Sequence, residues 1–138
     1  MKTSILFTVG LIAFCPFTFA HEGHDHDAPV QIVAPKGGVI RTLEKTNVEA
    51  VTRLNMVEIY LYDKKMKPLP VAGFVVSAMA ELPRTRKLEK VDLVSKDHYL
   101  QALFDAKSLH RYTLLVTIKD PKTGHDDRLK FTIEPHKK

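Results

Sequence analysis

Cysteine is almost missing from this chain: the 138 residues hold one, Cys15, and no tryptophan. Cys15 sits inside an N-terminal apolar run, so a chain trimmed of that run has no thiol at all. That excludes disulfides, thiolate metal sites and cysteine nucleophiles from the remainder, whose stability must come from burial. Phe14 precedes Cys15, where a lipid-modification signal would place a small residue, so Cys15 reads as an apolar leader residue lost on cleavage. Beyond residue 20 no apolar run approaches the roughly 20 residues that a membrane-spanning helix needs, so no transmembrane segment is expected in the mature chain. Nor does any segment there show the 3.6-residue period of a three-turn amphipathic helix. Signatures of catalysis are lacking too: there is no Gly-x-Ser-x-Gly, no His-Glu-x-x-His and no phosphate-binding loop. The expectation is a protein that is not an enzyme. Its basic residues are scattered and carry no nucleic-acid motif, so nucleic acid is not an expected partner.

What is present begins with the leader. Lys2 is the only charge in residues 1–20, and Ile5–Phe14 is uncharged and apolar. Pro16 breaks that run, and Thr18 and Ala20 place small residues at the −3 and −1 positions of a cut after Ala20. This is the three-part layout of a cleavable signal peptide, and it predicts export to the periplasm or beyond. The formal net charge is +5, yet His21–Asp27 carries three carboxylates and no Lys or Arg, so the rest of the mature chain is clearly basic. In an envelope setting a basic body favours anionic surfaces such as lipid headgroups or acidic glycans. Lys64-Lys65-Met66-Lys67 and Arg84-Thr85-Arg86-Lys87 read as solvated loop charge.

The chain divides into a signal peptide at 1–20, a flexible His/acid arm at 21–35, a β-domain at 36–135 and a short tail at 136–138. The arm is polar, holds Pro29 and Pro35, and has no apolar periodicity. After Gly37-Gly38, alternating runs recur at about 8–12-residue intervals, the spacing of an all-β sandwich or barrel. Met56–Asp63 is the clearest strand: Val57, Ile59 and Leu61 share one face, and Glu58, Tyr60 and Tyr62 share a wetter one. Arg111–Lys119 and Arg128–Glu134 form a hairpin around residues 120–124, with Tyr112, Leu114, Val116, Ile118, Leu129, Phe131 and Ile133 inward. Further strands are expected at Val39–Leu43, Asn47–Arg53, Ala72–Ala80, Leu88–Val94 and His98–Phe104. Ala78–Leu82 is rich in helix formers but too short to stand as a helix. Met56 and Met79 read as core or edge packing. Seven to eight strands in this length predict an immunoglobulin-like antiparallel β-sandwich.

The sharpest chemistry lies in His21-Glu22-Gly23-His24-Asp25-His26-Asp27. Neutral imidazole donates well to copper, zinc and nickel, and carboxylates add hard oxygen donors. His24 and His26 flank one residue, so both reach one ion in an extended or turned arm. A cut after Ala20 gives His21 a free α-amine that chelates together with its own imidazole. A cut one residue later leaves Glu22-Gly23-His24, in which amine, two amides and imidazole bind Cu(II) or Ni(II). His21, His24 and His26, with Glu22, Asp25 and Asp27 assisting, are the candidate ligands. A weaker candidate is His125-Asp126-Asp127, one imidazole and two carboxylates beside a turn, short of a second nitrogen donor unless the arm supplies it. His98, His110 and His136 stand alone and read as ordinary surface histidines.

Ala34-Pro35-Lys36-Gly37-Gly38-Val39-Ile40 resembles the opening of small exported β-sandwich domains that occur alone or attached to periplasmic adaptor subunits of heavy-metal efflux systems. In those, a His-rich leader precedes Ala-Pro-His-Gly-Gly, a second strand carries His and Glu, and a third ends in a Lys-Pro loop, here Lys67-Pro68. The resemblance spans roughly residues 21–80 and implies metal handling beside an efflux or envelope partner. Lys36 stands at the motif histidine and Thr46 or Asn47 at the second, while Glu49 remains. The metal expectation therefore rests on the arm. The resulting expectation is an exported metal-binding accessory protein for a divalent transition ion, copper or zinc. The alternative is a non-enzymatic envelope module that binds a protein partner or an anionic surface, suggested by the basic body and the tyrosine-bearing strand face.

Overall fold

In the computed structural model the chain is described over residues 32–106 and 109–135. The leader, the tail and most of the arm, including His21, Glu22, His24, Asp25, His26 and Asp27, lie outside the described residues. Eight strands follow one another: β1 (Val39–Thr42), β2 (Asn47–Arg53), β3 (Met56–Tyr62), β4 (Val75–Glu81), β5 (Leu88–Ser95), β6 (Leu100–Leu103), β7 (Tyr112–Lys119) and β8 (Asp126–Ile133). Every neighbouring pair is antiparallel, in the order β1-β2-β3-β6-β5-β4-β7-β8. The fold is all-β, as the alternation predicts, and a 3₁₀ turn at Val71–Gly73 is the single helical element among the described residues. No helix among them is long and apolar enough to cross a membrane.

The two layers of this fold are not separate sheets. β5 serves both: Leu88–Val91 pairs with β4, and Asp92–Ser95 pairs with β6. The residues between the layers form one core, with Ile59, Leu114, Val116 and Phe131 wholly buried. Each such side chain contributes on the order of 1.5–3 kcal/mol by leaving water. The inward sets expected for β3, β7 and β8 are the buried ones. The closing side of the sheet is joined by a side chain where a ladder would otherwise run. Arg41 of β1 donates Nε–H to the Lys130 carbonyl of β8 at 3.3 Å, and its guanidinium lies 5.9 Å from the Phe131 ring centroid.

Some strand bounds differ from expectation for local reasons. β4 begins at Val75 because residues 71–73 wind into the 3₁₀ turn after Pro70. Ala78–Glu81 is strand: it is paired on both sides, and a segment this short cannot nucleate a helix. β6 starts at Leu100, with Lys96 N–H bonded to the Tyr99 carbonyl across the preceding turn. Met79 is 39% exposed on the outer face of β4, so it does not pack in the core.

The antiparallel order also sorts the connections. Residues 43–46, 63–74, 96–99 and 120–125 lie at one end of the strands, and residues 54–55, 82–87, 104–106, 109–111 and 134–135 at the other. The candidate sites follow that division.

Candidate functional site

The most constrained polar group of the described chain is Glu49. Its side chain is fully buried on β2, whose residues Asn47–Val51 are buried on both faces. One face meets the core. The other is covered by the loop at residues 34–38, which folds back over it. Gly37 takes a φ of +76°, which suits glycine. A Cβ at Gly38 would stand 2.4 Å from the Ala50 carbonyl oxygen and 2.8 Å from Val51 Cγ2, so only glycine fits there.

This close approach lets the Glu49 carboxylate gather the loop. Oε1 accepts the backbone N–H of Lys36 at 3.0 Å and of Gly38 at 2.8 Å, and Oε2 accepts the Tyr62 hydroxyl at 2.9 Å. Asn47 shares its face. Its Nδ2 donates to the Asp63 carbonyl at 3.0 Å and to Met66 Sδ at 3.3 Å, while its Oδ1 is buried with no partner. Of the positions singled out by the resemblance, Lys36 and Glu49 meet in a structural tie, while Asn47 is bonded to the loop after β3. Both carboxylate oxygens are occupied by donors.

Alternation predicts a wetter face for Tyr62, but it is 2% exposed, with its hydroxyl on Glu49 and its backbone bridged to Pro68. Tyr60 is half-buried, with its ring 5.2 Å from that of Tyr99 and Lys36 Nζ 5.6 Å above it. Burial, and then the hydrogen bond its hydroxyl donates to Glu58, push the Tyr60 phenol up to about 12. Burial, then the hydrogen bond to Glu49, raise Tyr62 further, and burial raises Tyr112 to about 12. Below pH 10 these phenols are protonated whether the chain is folded or unfolded. Above it the unfolded chain loses protons that the folded chain keeps, so stability falls as pH rises from about 10 toward 12. The melting temperature should therefore decline across that window, and absorbance of the folded protein at 295 nm should show a component near pH 12 that Tyr60→Phe reduces. Full tyrosinate formation by pH 10.5 in folded protein would contradict this.

At the end of the strands that carries the turns at 43–46, 63–74 and 120–125 there is a cleft of about 570 Å³. Leu69, Phe74 and Ile118 form its apolar part, and Glu44, Asp63, Asp120, Asp127 and His125 stand around it. His125 Nε2 lies 3.3 Å from Asp127 Oδ1. Strand alternation separates the expected trio: Asp127 shares the parity of inward-facing Leu129, whereas Asp126 is exposed and does not line the cleft. Asp63 and Asp120 serve the turns. Asp63 Oδ1 accepts the N–H of Lys65 at 2.8 Å and of Lys67 at 2.9 Å. Asp120 Oδ1 accepts that of Lys122 at 2.8 Å, a bond that leads the causes holding its carboxyl below the usual range. His125 and Asp127 together offer one nitrogen and one oxygen donor. Among the described residues no group of three or more His, Cys, Asp or Glu side chains is placed to hold a metal ion.

His98 and His110 are exposed and belong to opposite ends of the strands. Two features escape sequence reasoning. The Glu49 tie depends on a loop folding back, and the only signal for it is the Gly37-Gly38 pair in the motif. A group of arginines at 84, 86 and 111 shares one end of the fold, although Arg111 is distant in sequence. No protein-family model, no curated protein and no solved structure matches the chain.

Proposed function

We propose that this chain is an exported accessory protein that captures a divalent transition metal, copper or zinc, on its N-terminal His/acid arm, with the β-domain as scaffold. The observation that carries this reading is the density of donors in His21–Asp27, three imidazoles and three carboxylates directly after a leader with signal-peptide layout. Copper and zinc are the ions that imidazole nitrogen with carboxylate support suits best. The resemblance of Ala34–Ile40 to the opening of efflux-adaptor domains adds support, and it makes a metal-efflux or envelope protein the natural partner. In the domain itself Glu49 ties the loop, and Asp63 and Asp120 brace turns.

The test is a calorimetric titration of Cu(II) and of Zn(II) into mature protein whose N-terminus has been fixed by mass spectrometry. A His21→Ala/His24→Ala/His26→Ala variant is the comparison. Affinity for at least one ion should fall by 10-fold or more, and His125→Ala should change it by less than 3-fold. Equal binding by the mature protein and the triple variant would remove the arm from consideration.

A further inference from the structure

The end of the fold opposite the His125 cleft gathers three arginines that form no ion pair with any described residue. Two adjoining cavities, of about 220 and 690 Å³, share Pro83, Arg84 and Arg111 as walls. Arg86 joins the smaller one, and His110 and Leu109 join the larger. The juxtaposition follows from pairing: Glu81 of β4 lies opposite Thr113 of β7, so the turn after β4 meets the segment leading into β7.

The guanidinium groups of Arg84, Arg86 and Arg111 make no hydrogen bond or ion pair with any described residue. Two carboxylates line the cavities, Glu81 in the smaller and Glu134 in the larger, against three guanidiniums. The turn is built to present its arginines. Arg84 and Arg86 hold φ of 68° and 53°, a conformation rare for residues other than glycine, asparagine and aspartate. The backbone holds itself there: Thr85 N–H bonds the Pro83 carbonyl at 2.8 Å, Arg86 N–H the Leu82 carbonyl at 3.1 Å, and Leu82 N–H the Lys87 carbonyl at 2.9 Å. The side chains are thereby left free.

We infer that this arginine group binds a phosphate-bearing anion, as the headgroup of an anionic lipid or as a small free phosphate ester. Several guanidinium forks match the tetrahedral oxygens of phosphate with paired, charge-assisted hydrogen bonds, which scattered lysines do as point charges only. The larger cavity exceeds the size of a bare phosphate, and Leu109 and Pro83 give the substituent an apolar wall. The inference gives residues to the anionic-surface expectation raised by the charge balance. It does not depend on metal capture, since none of its residues belongs to the arm.

Two probes test it: glycerol 3-phosphate followed by NMR shifts, and flotation with vesicles of phosphatidylglycerol in phosphatidylcholine. Arg84→Asn/Arg86→Asn/Arg111→Gln removes the group, asparagine being tolerant of the left-handed backbone. Lys65→Gln/Lys67→Gln/Lys122→Gln, at the other end of the strands, removes the same charge. The arginine variant should lose 10-fold or more in affinity for the probe that binds, and the lysine variant less than 3-fold. Binding of glycerol phosphate identifies a free ester as a sufficient ligand, and binding of vesicles alone identifies the lipid. Equal losses in both variants would reduce the effect to net charge and overturn the inference. So would binding of neither probe, or capture of polyglutamate in place of both.

Discussion

Glu49→Ala should lower the unfolding free energy by about 3–4 kcal/mol, seen as a lower urea midpoint with an unchanged m-value. The side chain is the acceptor for three donors, the backbone N–H groups of Lys36 and Gly38 and the Tyr62 hydroxyl. Removing it leaves these donors without their acceptor. A buried donor without a partner costs about 1–3 kcal/mol, discounted here because the Lys36 end of the loop can rehydrate. Glu49→Gln keeps the shape but replaces one acceptor oxygen with an N–H group, and should lose about 2 kcal/mol. The same variants should free the loop at 34–38, so that amide exchange at Gly38 quickens more than exchange in β7. A loss below 0.5 kcal/mol in Glu49→Ala would show that the tie is not what holds the loop.

The second large effect belongs to Phe131→Ala, with an expected loss of about 3–5 kcal/mol from lost burial and the cavity left behind. Phe131 is wholly buried at the centre of the core, and its ring also carries the Arg41 guanidinium across the β1–β8 seam. Arg41→Ala alone should cost no more than about 1 kcal/mol, because the residue is exposed and its bond to the Lys130 carbonyl is long at 3.3 Å. The double variant should lose less than the sum, since alanine at 131 has already removed the surface on which the arginine rests. Strict additivity would mean that the guanidinium and the ring do not support one another.

These effects also mark how far the sequence can be read. β3, β7 and β8 are legible because one face packs and the other does not, so period two survives in Val57-Ile59-Leu61 and Leu129-Phe131-Ile133. β2 is harder. Alternation puts Asn47 and Glu49 on a polar face and implies water there. That face is buried by a loop whose return depends on the missing Cβ of Gly38, which no periodicity encodes. The split of Asp126 from Asp127 follows from strand alternation once β8 is known to begin at Asp126 and not at Arg128. Arg84 and Arg86 look like ordinary loop charge because Arg111, the residue that turns them into a group, arrives through the pairing of β4 with β7. The arm is the opposite case: its donor chemistry is plain in composition and asks nothing of the fold.

The shared strand β5 gives this cysteine-poor chain a cross-link of another kind. In many β-sandwiches a disulfide rivets one sheet to the other. Here the rivet is eight residues of main chain, half hydrogen-bonded into each layer. Peptide bonds hold that junction, so no reductant can cut it and no oxidase is needed to make it. The described domain, which holds no cysteine, can therefore reach its final architecture by folding alone, whatever the thiol chemistry around it.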